Sequence, residues 1–182
     1  MTIKVGPAGG YNANKGWDDG SIGKVKQIFI TYDDDYGVKS IQTVLEFPGG
    51  SVLMDKHGGQ GRNFRTISLA ENESIILVRG YYLTFYGGGL IKSLSIRTTL
   101  REYGPYGCDV VRGDDIYQFN FEVEADKLAG FYGSSDHFSL HAIGIYMHTE
   151  ATITLEEMKK QGHAIDKMMV RPSVPRLTYL EA

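Results

Sequence analysis

Three stretches of this chain repeat one another, and the repetition limits the possible architectures more than any single motif does. Lys24-Val25-Lys26-Gln27-Ile28-Phe29-Ile30 leads to Val38-Lys39-Ser40-Ile41-Gln42-Thr43. Ser74-Ile75-Ile76-Leu77-Val78-Arg79-Gly80 leads to Ile91-Lys92-Ser93-Leu94-Ser95-Ile96, and Lys127-Leu128-Ala129-Gly130-Phe131-Tyr132-Gly133 to Leu140-His141-Ala142-Ile143-Gly144-Ile145. Each is an apolar strand, a polar or Gly-rich loop, and a second apolar strand. The first anchors, Val25, Ile75 and Leu128, lie 50 and 53 residues apart, and the second, Ile41, Leu94 and Ile143, lie 53 and 49 apart. A period near fifty holds about four strands with their turns. Three such units fill roughly the first 150 residues, and none can bury its apolar face alone. The expectation is one closed, pseudo-threefold domain of about twelve strands.

Local patterning agrees with an all-β body. Tyr117, Phe119, Phe121 and Val123 alternate with Gln118, Asn120 and Glu122, as a half-buried strand requires. The same period of two runs through Ile41, Thr43, Leu45 and Phe47, and through Ile143, Ile145 and Met147. Helical spacing finds no sustained match before about residue 154. Gly at 23 of 182 residues, with 12 Tyr and 8 Phe, fits tight turns between aromatic-rich strands.

Charge and cysteine usage narrow the classes of function. With 19 Lys+Arg against 22 Asp+Glu, net −3, there is no basic field to draw the chain onto nucleic acid or anionic lipid. No uncharged run approaches the ~20 residues of a membrane span, which predicts a soluble protein. The single Cys108 cannot make an internal disulfide, and Met1-Thr-Ile-Lys-Val-Gly-Pro7 lacks the apolar core of a signal peptide, so the expected location is cytoplasmic. No basic neighbour is evident to activate Cys108. Asn72-Glu73-Ser74 matches a glycosylation sequon, a three-residue pattern common by chance.

The boundary falls after Met147, giving a domain over 1–148 and an extension over 149–182. Thr154-Leu155-Glu156-Glu157 has the form of a capping box and Gly162 that of a C-cap, predicting a short helix over 155–161. Beyond it, Pro172 and Pro175 keep the chain extended with a Pro-x-x-Pro spacing.

Catalytic motifs are absent: no Gly-x-Ser-x-Gly, no His-Glu-x-x-His, no phosphate-binding Gly-x-x-x-x-Gly-Lys and no Cys pair for zinc. Of five His, only His137 and His141 are close, a weak basis for a metal pair, and no metal or cofactor is expected. Asp33-Asp34-Asp35-Tyr36-Gly37 lacks the distal Glu of a calcium loop and reads as a solvated connection. What remains is a set of Gly-rich loops: Gly6-Pro7-Ala8-Gly9-Gly10, Gly80-Tyr81-Tyr82 through Gly87-Gly88-Gly89, and Gly133-Ser134-Ser135-Asp136-His137. Glycine lets backbone N–H groups approach a ligand closely, and sugar hydroxyls want such donors together with an acceptor. This chemistry suits a shallow saccharide site.

On residues 4–147 the chain resembles the jacalin-related lectins. The likeness is carried by Gly6-Pro7-x-Gly9-Gly10, Trp17-Asp18-Asp19-Gly20, Ile75-x-x-Val78-x-Gly80-Tyr81-Tyr82, Tyr103-Gly104-Pro105-Tyr106-Gly107, and Leu128 to Ser135 leading into Leu140-His141-Ala142-Ile143-Gly144-Ile145-Tyr146. The resemblance implies a β-prism of three four-stranded Greek-key sheets and metal-independent binding of mannose-, glucose- or galactose-type glycans by a protein that is not an enzyme. It also implies a nucleocytoplasmic role in stress or plant defence, as for many members. Carried over by position, the carbohydrate site comprises backbone donors at Gly9 and Gly10, flanking contact from Tyr81 and Tyr82, and the loop from Gly133 to His141 with Ser135, Asp136, His137 and Phe138. By strand alternation, one of Tyr81 and Tyr82 points into the core. Trp17 is expected to pack and close one end of the prism.

The family's last loop usually ends Gly-x-x-x-Asp, and that Asp accepts hydrogen bonds from sugar hydroxyls. Here the slot is His141, the first motif position falls on His137, and the loop is one residue longer. Neutral imidazole lacks the charge-assisted pairing of a carboxylate, which is about twice as strong. Asp136 either supplies a carboxylate from the lengthened loop or caps its turn. A few neutral hydrogen bonds give a dissociation constant near ~1 mM, so a homodimer or higher oligomer is expected for avidity. The alternative reading is a protein-interaction scaffold that keeps the prism and has lost or altered sugar binding.

Overall fold

The apolar repeats become the inward faces of three antiparallel sheets in the computed structural model, which describes residues 1–85, 88–108 and 113–149. The expected helix over 155–161 and the Pro-rich segment lie outside the described residues. In chain order the elements are β1 (Thr2–Gly9), a 3-10 turn (Ala13–Lys15), β2 (Gly16–Asp18), β3 (Lys24–Asp33), β4 (Gly37–Phe47), β5 (Gly50–Leu53) and β6 (His57–Gly58). There follow β7 (Asn63–Ser68), β8 (Ile75–Phe85), β9 (Gly88–Thr98), β10 (Glu102–Gly107), β11 (Ile116–Glu122), β12 (Leu128–Ser135) and β13 (Leu140–His148).

Each sheet is built on one plan. A central hairpin, β3–β4, β8–β9 or β12–β13, carries one outer strand beside each arm, in the orders β5-β4-β3-β7, β10-β9-β8-β11 and β1-β13-β12-β2. The two-residue β6 adds a further pairing to β4, with Ser40 opposite Gly58. In two units both outer strands follow their hairpin along the chain. In the third they precede it: β1 and β2 come from the N-terminus and flank a hairpin made a hundred residues later. The repeat is therefore threefold in space but cyclically shifted in sequence. Its seam runs from Thr2 opposite His148 to Gly9 opposite Ala142, and beyond it Thr149 N donates to Met1 O at 2.9 Å.

All six repeat anchors lie in one core: Val25, Ile41, Ile75, Leu94, Leu128 and Ile143 are buried, with Ile28, Ile30, Ile96, Phe131 and Ile145 among them. Alternation also placed Phe119, Phe121 and Val123 inward, where they are buried. Tyr117 shares their face but sits near the start of β11, beyond the packed region, and is exposed. Two equivalent outer strands, β1 and β10, each break register at a Gly-Pro, between Val5 and Ala8 and between Tyr103 and Tyr106. Proline has no N–H for the ladder, and an outer strand tolerates that.

Polar residues seal the corners. Glu73, buried before β8, accepts from Thr98 Oγ1 at 2.6 Å, from Tyr103 Oη at 3.2 Å and from Ala70 N at 3.2 Å. Ser74 of the sequon donates its hydroxyl to Asp126 at 2.7 Å.

Candidate functional site

Because the three hairpins are equivalent, their tips reach the same end of the domain. There they surround an open cleft of about 910 Å3, completed by the segment that leaves β1. Tyr36 and Lys39 come from β3–β4, Phe85, Gly88 and Leu90 from β8–β9, and Asp136, Phe138, Ser139 and His141 from β12–β13. Gly9, Gly10, Tyr11, Asn12 and Lys15 form the fourth side.

Close backbone approach explains the glycines. A Cβ on Gly10 would fall onto the backbone of Gly88 and Gly89, so the end of β1 and the start of β9 abut only because these residues have no side chains. Gly10 N donates to His141 O at 3.0 Å. Its amide therefore tethers β1 to β13, and the role of Gly10 at the cleft is to form its wall. Gly59 does the same for the loop between β12 and β13. A Cβ there would lie 2.5 Å from Phe138 O and 2.6 Å from His137 O. The loop thus rests directly on main chain from the neighbouring sheet.

Asp136 organises that loop. Its Oδ1 accepts from Phe138 N at 2.8 Å and Ser139 N at 2.9 Å, so the carboxylate caps the turn. Its Oδ2 faces His141 Nε2 at 3.1 Å and Lys15 Nζ at 3.6 Å. Burial would raise the Asp136 pKa, but the two amides and then His141 and Lys15 outweigh it and hold the carboxyl below its ordinary value. Both alternatives for Asp136 are thus combined in one residue: it is a carboxylate at the cleft, and it also holds the turn.

The adjoining wall, from the segment after β1, and the β3–β4 hairpin are ordered just as locally. Asn12 N donates to Ser134 Oγ at 3.3 Å, Asn14 N to Asn12 Oδ1 at 3.0 Å, and Lys15 N to Asn12 O at 3.0 Å. Lys39 Nζ lies 4.2 Å from the Tyr36 ring centroid and 3.8 Å from Asp33 Oδ2. The acidic run of the β3–β4 turn is held by the start of β7: Asp33 Oδ1 accepts from Arg62 N at 2.7 Å, Asp34 from Asn63 Nδ2 at 3.1 Å, and Asp35 pairs with Arg62.

Of the residues expected at the site, Gly9, Gly10, Asp136, Phe138 and His141 line the cleft. The structure places the others beside it or away from it. Gly133 is buried in β12, where a Cβ would reach Trp17 Cζ2 at 3.0 Å. Ser135 pairs with Leu140 at the hairpin neck, and His137 is exposed with its ring 3.8 Å from that of Phe138. Tyr81 and Tyr82 lie in mid-β8. Tyr81 faces a separate shallow groove with Arg79, Ser95 and Gln118, while Tyr82 packs against the core and stacks on Tyr117 at 5.6 Å. The residue of β8 that does reach the cleft is Phe85, four positions nearer the turn. Lys15, Tyr36, Lys39 and Phe85 also line the cleft, and no motif in the sequence marks them. For Tyr36, Lys39 and Phe85 the fifty-residue period is the signal, because it brings the three hairpins to one end; Lys15 lies on the segment after β1, which that period does not cover.

Behind the loop, the Trp17-Asp18-Asp19-Gly20 motif is resolved residue by residue. Trp17 packs against the core and stacks on His57 at 4.0 Å with planes 6° apart. Asp19 is buried, with Oδ1 at 2.7 Å from His57 Nε2 and Oδ2 accepting from Thr43 Oγ1 at 2.8 Å. Asp18 takes Gly20 N at 2.9 Å, Lys4 Nζ at 3.2 Å and the Tyr146 hydroxyl. The contacts of Trp17 and Asp19 with His57 hold β6, which runs on to Gly59, and so hold the support of the β12–β13 loop. Among the described residues, no group of three His, Cys, Asp or Glu is arranged to hold a metal.

Comparison with known proteins agrees with this architecture. A family model described as the jacalin-like lectin domain matches residues 5–146. Jacalin-related lectin 19 of Arabidopsis thaliana is 30% identical over 174 residues, 93% of this chain and 94% of the relative. Jacalin-related lectin 3 of the same plant is 36% identical over 148 residues, 78% of this chain but 23% of that longer protein. Among solved structures, a mannose-binding lectin from champedak superimposes with a TM-score of 0.70 at 30% identity, covering 82% of this chain and 98% of the lectin. The β-prism, the placement of the motifs and these matches together show that the chain belongs to the jacalin-like lectin family.

Proposed function

We propose that this chain is a metal-independent lectin, not an enzyme, and that it holds a saccharide in the cleft where the three hairpin tips meet. The observation that carries this reading is the composition of that cleft. Hydroxyl and amide groups of Tyr11, Asn12, Tyr36 and Ser139 share it with the exposed rings of Phe85, 52% accessible, and Phe138, 64% accessible. A pyranose presents the same combination of polar edge and apolar face, and an aromatic ring takes the apolar face while hydroxyls take the edge. The one carboxylate among the described lining residues, Asp136, already serves its own loop and is paired with His141. The cleft is open and its ligand contacts are few, so useful avidity rests on an oligomer or a multivalent glycan. The cytoplasm suits a fold that stands without disulfides.

A glycan array followed by calorimetric titration of the best hit tests the reading. Phe138→Ala removes an exposed ring without touching the core and weakens binding by roughly 5- to 20-fold, while Tyr81→Ala, on a separate groove, leaves it unchanged. Silence across the array would sink the lectin reading and favour the scaffold, whose supporting observation is that the loop amides of Phe138 and Ser139 are already engaged by Asp136.

A further inference from the structure

Resting on that reading of the cleft, the balance of donors and acceptors around it points to a particular class of sugar. A neutral saccharide needs acceptors from the protein for its hydroxyl protons. Asp136 is the only carboxylate among the described lining residues, and its capacity is nearly used: Oδ1 carries two amides and Oδ2 faces His141 and Lys15. A carboxylate has about four acceptor positions.

Donors, in contrast, are in surplus. Lys15 is about half exposed, and its ammonium lies 3.6 Å from Asp136, longer than a good charge-assisted hydrogen bond of about 2.8 Å. Lys39 lines the same cleft from the opposite hairpin, beside the Tyr36 ring. The neighbouring carboxylates of Asp33, Asp34 and Asp35 do not line the cleft and are held by Arg62, Asn63 and Lys39. On a chain of net charge −3, the cleft lining holds two lysines and a histidine against one committed carboxylate; Lys39 is paired with Asp33 at 3.8 Å, so the half-exposed Lys15 is the ammonium left to a ligand. A ligand that brings its own anionic acceptor fits this arrangement, since ammonium-to-carboxylate contacts are roughly twice as strong as neutral ones.

We infer that the cleft takes an acidic saccharide, a pyranose bearing a carboxylate, with Lys15 as the principal partner of that carboxylate. The full chain is titrated by calorimetry with the methyl glycosides of galacturonate and glucuronate, with the methyl ester of each as a neutral isostere, and with galactose 6-sulfate and acetate. The expected result is an acid bound at least tenfold more tightly than its own ester, with affinity that falls as salt rises from 20 to 200 mM. In Lys15→Gln the acid-to-ester ratio drops towards one, while Lys15→Arg keeps it, and unchanged thermal midpoints show that both variants remain folded. Equal binding of acid and ester overturns the inference and leaves the saccharide reading intact. Preference for the sulfate over both uronates, or displacement by acetate at equal concentration, also overturns it, the first against a carboxylate and the second against any sugar. Silence towards every glycoside removes the saccharide reading itself.

Discussion

At position 136 a carboxylate satisfies two amides of its own loop, and this sets what the cleft can still offer a ligand. The effect on pH follows from the sign of the shift. The Asp136 pKa is lowered in the fold, so its contribution is present above the unfolded value of about 3.9 and is lost as pH falls through the folded value. Acidification below about pH 4 should therefore loosen the β12–β13 loop, read as loss of amide exchange protection at Phe138 and Ser139. Substitution His141→Asp is expected to fail as a route to neutral-sugar binding. It would place a second carboxylate against Asp136 and raise the pKa of the pair. The double variant Asp136→Gly with His141→Asp removes that conflict, frees two amides, and should gain mannoside binding that neither the parent nor the single variant shows in a titration. The substitution at 141 was legible in the sequence because the motif around it is linear. The constraint at Gly59 was not, since it arises from Phe138 and His137 of another sheet.

Elements with strict alternation could be read directly, and β4, β11 and β13 are where the pattern put them. The short pieces escaped. β5 is four exposed residues and β6 only two, too brief for a period, and the 3-10 turn at Ala13–Lys15 carries no apolar face. Alternation also requires one of Tyr81 and Tyr82 to face the core, and the structure shows it to be Tyr82; alternation says nothing about distance along a strand, and that distance decides that Phe85 reaches the cleft. Support of one hairpin by another element gives a direct test. Gly59 is free of unusual backbone geometry, so Gly59→Ala acts through space alone. It should displace the β12–β13 loop, cost about 1–3 kcal/mol, and weaken glycan binding more than it lowers the thermal midpoint.

For the molecule as a whole, the fifty-residue period foretold the shared core, and a cavity at any anchor should be felt by all three sheets. Ile143→Ala is expected to cost about 2–5 kcal/mol by chemical denaturation, with a single transition showing that the sheets unfold together. What the period did not show is that one unit is split between distant parts of the chain. Two sheets are made from contiguous sequence, residues 24–68 and 75–122, whereas the remaining one joins Thr2–Asp18 to Leu128–His148. A ribosome therefore releases β1 and β2 long before the β12–β13 hairpin that they flank. They must wait, unpaired, for more than a hundred residues of synthesis, and the prism closes only when the final hairpin emerges to meet them.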